Sequence, residues 1–214
     1  MRKILQENLL NIINESELDL EVDYELDVNP NFLDQKGRNW LEEAFDDLGG
    51  NGSIPLLEKL KFDWKINRFL FLFDFDLHFN RYRLSTFRSD LYHEFSFSFV
   101  DSQRRLCRTF EKECLKAGMQ HRIWNGPPVA QQWFGKSSAP GDFSENGATG
   151  WKLQAYNDMQ IDLQTRIHGY KLVRLSPYET LMTGGSLKRL DQLLVNPTDE
   201  QREMLLNWFM RKMA

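Results

Sequence analysis

The sequence predicts an α/β fold, a mixed central β-sheet flanked by helices, in one domain over residues 1–214. Three patterns carry that expectation. Residues 18–28 alternate Leu18, Leu20, Val22, Tyr24, Leu26 and Val28 with Asp19, Glu21, Asp23, Glu25 and Asp27, the period of a half-buried strand. Phe69, Phe71, Phe73, Phe75, Leu77 and Phe79 form an unbroken apolar face along 68–80. Leu153, Tyr156, Met159, Leu163 and Ile167 recur at helical spacing over 151–168. With 41% hydrophobic and 27% charged residues, the composition excludes disordered, collagen-like and disulfide-scaffold classes.

Taken in order, Ile4, Leu5, Leu9, Ile12 and Ile13 predict a helix over 2–14, and the acidic strand 18–28 follows. Trp40, Leu41, Ala44, Phe45 and Leu48 predict a second helix, ended by Gly49-Gly50-Asn51-Gly52. Strands are expected at 61–65, at 68–80 after a turn at Ile66-Asn67, and at 93–100, where His93, Phe95, Phe97 and Phe99 alternate with Glu94, Ser96 and Ser98. Asp101 is placed to cap a helix through Leu106, Phe110, Cys114 and Leu115 that Gly118 closes. The glycines and prolines of 124–150 predict a long loop with one helical turn at 129–134. A strand at 170–176 and helices at 186–195 and 198–213 complete the chain, the last opened by the Thr198 and Gln201 capping-box spacing.

The net charge of −4 is unevenly spread, since residues 1–61 hold 6 basic and 14 acidic side chains. The remainder is moderately basic, and 81–124 alone holds 9 basic against 5 acidic residues. Such a field permits nucleic-acid binding without arguing for it. No apolar run approaches the ~18 residues of a membrane helix, and the charged start Met1-Arg2-Lys3 is unlike a secretory signal, so a cytoplasmic protein is expected. Cys107 and Cys114, seven apart on one expected helix, would lie roughly 10 Å apart along its axis and are read as reduced core or boundary thiols.

The second face of 68–80 changes character halfway, running Leu70, Leu72, Asp74, Asp76, His78, Asn80. Two carboxylates at that spacing repel by about 2.5 kcal/mol at an effective dielectric near 20. Two readings stand open: a solvated edge face, or a covered row needing a cation. That cation would be Arg81, Arg83 or Arg88, or a divalent metal with oxygen ligands. Asp63 and Glu94 could reach the row from neighbouring strands. Gly147-Ala148-Thr149-Gly150, with Lys152 in the following turn, offers either an anion-binding helix start or a plain loop ending.

The hairpin with Asp63, the strand Phe-Leu-Phe-Asp-Phe-Asp-Leu-His-Phe, a helix and the strand Tyr-Lys-Leu-Val-Arg-Leu resemble the restriction-endonuclease-like (PD-(D/E)XK) superfamily, in its histidine-containing variant. The whole chain, with His-Phe-Asn-Arg-Tyr-Arg and Gly-Trp-Lys-Leu-Gln-Ala-Tyr, resembles a bacterial domain family with no assigned activity. The resemblance makes 62–176 a nuclease-like core between an acidic portion, 1–61, and C-terminal helices, 177–214. It implies a metal-dependent nuclease in which Asp63, Asp74 and Asp76 hold Mg²⁺ or Mn²⁺ with Glu94 in reserve. His78 would orient or donate a proton, while Arg81, Arg83, Arg88 and Lys152 would meet nucleic-acid phosphates. Leu72 stands where that pattern expects an acid, and Phe75 where it expects glycine. The alternative is therefore a catalytically impaired nuclease-like protein acting as a nucleic-acid-binding or protein-interaction module. A third reading makes the acidic strand 18–28 a surface for a basic protein.

Overall fold

The alternating residues of 59–73 fold into a hairpin: β2 (Lys59–Ile66) and β3 (Phe69–Phe73) run antiparallel, with Trp64 opposite Phe71 and Ile66 opposite Phe69. Asn67 turns the chain with a φ of 53°, a left-handed conformation that asparagine tolerates better than most residues. The computed structural model describes residues 2–213, apart from the side chain of Arg2. These residues gather into two compact units.

The first unit comprises residues up to Glu25, Lys61–Phe75 and Tyr170 onward. Its sheet has the order β1 (Leu20–Asp27), β2, β3, β4 (Lys171–Leu175), with β3 and β4 parallel and Leu72 beside Arg174. Residues paired across strands point to the same side. Trp64, Phe71 and Val173 therefore share one face, where they join Leu9, Ile12 and Ile13 of α1 (Arg2–Asn14) in the core. Leu193 and Leu194 of α10 (Leu190–Leu194) and Leu205 and Phe209 of α11 (Asp199–Arg211) complete it, with Phe209 stacked on Phe71 at 4.8 Å.

The expected capping box of α11 is present, Thr198 Oγ1 accepting from Gln201 N and Gln201 Oε1 from Thr198 N. Thr198→Ala is expected to cost about 1 kcal/mol of stability, read by thermal denaturation. An unchanged midpoint would show that this cap contributes nothing.

The second unit comprises Leu26–Leu60 and Asp76–Gly169. It contains α2 (Gln35–Asp47), α3 (Arg81–Thr86), α4 (Leu91–Glu94), α5 (Val100–Thr109), α6 (Glu111–Gly118), α7 (His121–Asn125), α8 (Pro128–Phe134) and α9 (Thr149–Ile167). Helix α9 is its axis, burying Trp151, Tyr156, Met159 and Leu163 together with Asp158 and Asp162. Gly150 lies so close to the backbone of Ile123 and Gly126 that no side chain fits there.

The helices expected at 2–14, around Trp40, at 151–168 and at 198–213 are present, as are the strands at 18–28, 61–65 and 170–176. Three expectations need correction. The strand at 68–80 stops at Phe73, close to the end of its parallel neighbour β4 at Leu175, whose carbonyl accepts from Asp74 N at 2.8 Å. Asp76–His78 is instead a 3₁₀ turn, and the Asn80 side chain caps α3 by accepting from Tyr82 N and Arg83 N. No strand forms at 93–100. Burial still alternates there, because Phe97 packs against Phe95 in a T-shaped contact and against Phe99 and Tyr92 in tilted ones, without pairing in a sheet.

The helix expected at 186–195 divides into β6 (Ser186–Arg189) and α10. Strand β6 pairs with β5 (Thr180–Thr183) through Gly184-Gly185, both at positive φ. Smaller differences lie in the second unit. The single helix expected after Asp101 is two, α5 and α6, meeting at Phe110, and Asp101 sits in the first turn of α5 instead of capping it. Within the loop of 124–150 the helical turn expected at 129–134 is present as α8, and the end of α7 takes the first two residues.

Candidate functional site

Asp63 lies on the face of β2 opposite the core. Its Oδ2 accepts from Phe73 N and its Oδ1 from Gln6 Nε2, both at 2.6 Å. Continuing the hairpin register by one residue sets Asp63 beside Leu72, which in turn neighbours Arg174 on β4. Asp63, Leu72 and Arg174 thus form one row across three strands. Asp74, two residues past Leu72, points to that same side.

Arg174 reaches along this face to Asp74. Its Nη1 lies 2.9 and 3.0 Å from the two carboxylate oxygens. Both side chains are buried, at 0% and 2% exposure. A carboxylate so far from water needs a positive partner, since burial of an uncompensated charge costs several kcal/mol. The sequence offered Arg81, Arg83 or Arg88 for that purpose, yet Arg174 fills it.

The other candidates stand in different settings. Asp76 is in the 3₁₀ turn of the second unit, where His78 Nδ1 donates to Asp158 Oδ2 at 3.0 Å. Asp158 is buried and the His78 side chain about one quarter exposed, so a carboxylate orients a partly accessible imidazole. Glu94 belongs to α4, not to a strand, and pairs with Lys36 at 2.8 Å on the surface. Among the described residues, no group of three or more His, Cys, Asp or Glu side chains is arranged to hold a metal ion. With Asp74 bonded to Arg174 and Asp63 to a backbone N–H and an amide, the acids as they stand do not fit a divalent cation.

Three of the four proposed phosphate contacts, Arg81, Arg83 and Lys152, are engaged internally. Arg81 donates to Glu111 through Nε at 2.7 Å and lies over the Phe143 ring at 3.8 Å. Arg83 is buried, donating to Asp162 (2.6 Å), Tyr92 Oη (2.9 Å) and Thr86 Oγ1 (3.3 Å), and the Tyr92 hydroxyl donates to Asp162 as well. Arg88 lines a pocket with Glu43, Asp47, Ser85, Ser89 and Asp90. Lys152 donates to Asn146 Oδ1 at 2.7 Å, and burial lowers the pKa of its ammonium from the usual value. The start of α9 has the character of a loop ending: Gly147 N donates to Ser138 Oγ, Ala148 N to Tyr82 Oη and Thr149 N to Ser137 Oγ.

The acidic strand has basic partners within the chain. Lys65 pairs with Glu21, Lys61 with Glu25 at 2.9 Å, and Lys59 with Asp27 at 3.6 Å. Lysines at alternate positions of β2 thus match acids at alternate positions of β1.

Cys107 and Cys114 are free and buried, as read from the sequence. Cys114 Sγ donates to Leu77 O at 3.5 Å, and burial pushes its thiol up to about 12. At pH 8 the folded protein is expected to resist a thiol reagent and to expose two reactive thiols on unfolding in guanidinium. Rapid labelling of Cys114 in the folded state would contradict the packing described.

Arg174, Asp158, Asp162 and Tyr92 are the site residues that sequence reasoning missed. Their signal was polarity in apolar company: Arg174 inside Leu-Val-Arg-Leu, and Asp158 and Asp162 one turn apart beside Met159 and Leu163.

No curated protein and no solved structure matches the chain. Among the described residues, no helix is long and apolar enough to cross a membrane. Residues 43–196 match the family described as "Family of unknown function (DUF7255)". The match spans more than half of the chain, and the protein belongs to that family.

Proposed function

We propose that this chain is a nuclease-like protein without metal-dependent catalysis, and that it acts by binding a protein partner. The observation that carries this reading is the Asp74 carboxylate, bonded on both oxygens by Arg174 in a buried pair. A hairpin bearing Asp63, then α9, then a strand parallel to β3 agrees with the chain order on which the nuclease resemblance rests. Fold likeness alone does not assign activity. The internal bonds of Arg81, Arg83 and Lys152 favour a protein over a nucleic acid as the ligand.

The test is incubation of wild type and Asp74→Ala with single- and double-stranded DNA and RNA in Mg²⁺ and Mn²⁺, followed by gel-shift titration. The expected result is no cleavage by either protein and no saturable nucleic-acid complex. Cleavage by wild type that Asp74→Ala abolishes would overturn the reading.

A second reading, the metal-dependent nuclease, is favoured by His78 and Asp158. The bond from Nδ1 fixes the tautomer in which Nε2 is the basic nitrogen, the arrangement of a proton acceptor. For that reading Arg174 would have to leave Asp74 before the carboxylate could take a cation.

A further inference from the structure

We infer that the outer edge of β1 receives an extended segment of a protein partner, one that alternates basic with apolar side chains and joins the sheet as a further strand. The inference rests on the reading of this chain as a protein-binding module and names the surface and the chemistry of the partner.

The sheet order is the first support. Strands β1 and β4 end the sheet. Leu172–Leu175 of β4 is buried, whereas no residue of Leu20–Glu25 is, and Val22 is 48% exposed. Alternate residues of an end strand direct their N–H and C=O groups away from the sheet, which makes a template for another strand. Among the described residues, Leu20–Asp23 makes no backbone-to-backbone hydrogen bond outside the sheet.

Charge is the second and decides the occupant. Glu21 meets Lys65, and Glu25 meets Lys61 at 2.9 Å, while Asp19 and Asp23 make no ion pair. Four carboxylates against two ammonium groups leave this stretch negative. The β1 strand of a second copy would set like charges opposite one another, which is destabilising, so the occupant is a different and basic chain. Such a strand repeats the pattern of β2, where Lys59, Lys61 and Lys65 alternate with Leu60, Phe62, Trp64 and Ile66. Its apolar positions would cover Val22.

A pocket is the third. A cavity of about 230 Å³ opens among Asp23, Glu25, Lys61, Phe62 and Asp63. Three carboxylates to one ammonium favour a cationic side chain there, and Asp23 and Glu25 place the cavity on β1. Asp23 has a φ of 54°, so the backbone leaves the extended region at that residue and the docked segment is short.

The experiment is a fluorescence-anisotropy titration of full-length protein into the labelled peptide Lys-Val-Lys-Val-Lys-Val at physiological salt. Saturable binding is expected. The same peptide N-methylated at every residue keeps its charge but has no N–H to give the edge, and its affinity is expected to fall about tenfold or more. The variant Asp19→Asn/Glu21→Gln/Asp23→Asn, whose three positions are exposed, is expected to bind the unmodified peptide about tenfold more weakly. Should that variant fail to fold, the N-methylated peptide still decides the question on wild type.

No saturable binding of the unmodified peptide overturns the inference. Equal binding of the N-methylated peptide does so too, since charge attraction without strand pairing would then suffice, as does undiminished binding by the folded variant. Each of these leaves the proposed function standing. That reading fails instead if wild type cleaves nucleic acid through Asp74.

Discussion

Asp162→Ala is expected to lose about 3–5 kcal/mol of unfolding free energy, because it strands the Arg83 guanidinium in the interior. Arg83 is 1% exposed and Asp162 0%, and Tyr92 and Thr86 also accept from the guanidinium. The loss is larger than that of an exposed pair such as Lys36 with Glu94, whose removal is worth about 0.2–1 kcal/mol. Replacing both partners by apolar residues, as in Arg83→Met/Asp162→Leu, should recover most of the stability, since no charge is then buried. Urea denaturation of the three proteins checks both statements. A loss under 1 kcal/mol for Asp162→Ala would mean that water reaches Arg83.

Arg174→Ala is expected to cost a comparable ~3–5 kcal/mol in metal-free buffer, for the same reason with the sign of the stranded charge reversed. Asp74→Asn alone should cost less than Arg174→Ala, because the amide oxygen still accepts from Nη1. The cycle that combines Asp74→Asn with Arg174→Ala should show a coupling of about 0.5–3 kcal/mol, as residues in direct contact do. Additive losses would show that the two side chains do not act as a pair.

The elements legible in the sequence are those whose period is set by one buried face. The hairpin through Asn67, α1 and α11 each carry an apolar series of one period, and burial follows it, whereas β1 keeps its alternation with Val22 exposed and α9 buries polar as well as apolar positions. The aromatic alternation of 95–99 is equally regular but serves ring-on-ring packing, so the period was right and the ladder absent. At 186–195 the leucines at 187, 190, 193 and 194 fit a helix, while the turn chemistry of Gly184-Gly185 decides the first half in favour of a hairpin.

The candidate site was legible as a list of residues and illegible as a set of partners. Asp63, Asp74 and His78 stood out as polar residues in apolar surroundings, and each is held by specific bonds. Their partners lie far along the chain, 100 residues on for Asp74 and 80 for His78, and only the crossover from β3 to β4 brings Arg174 into register. The match of Lys61 and Lys65 to the acids of β1 depends on strand order. Lys59 and Lys61 already belong to the count for residues 1–61, so of the three lysines only Lys65 offsets the acidic surplus of the N-terminal third from outside it.

Titration calorimetry of wild type and Asp74→Asn with Mn²⁺ addresses the central claim, that Arg174 and not a metal ion balances Asp74. The expected result is no saturable heat from either protein. Saturable Mn²⁺ uptake by wild type that disappears in Asp74→Asn would contradict it.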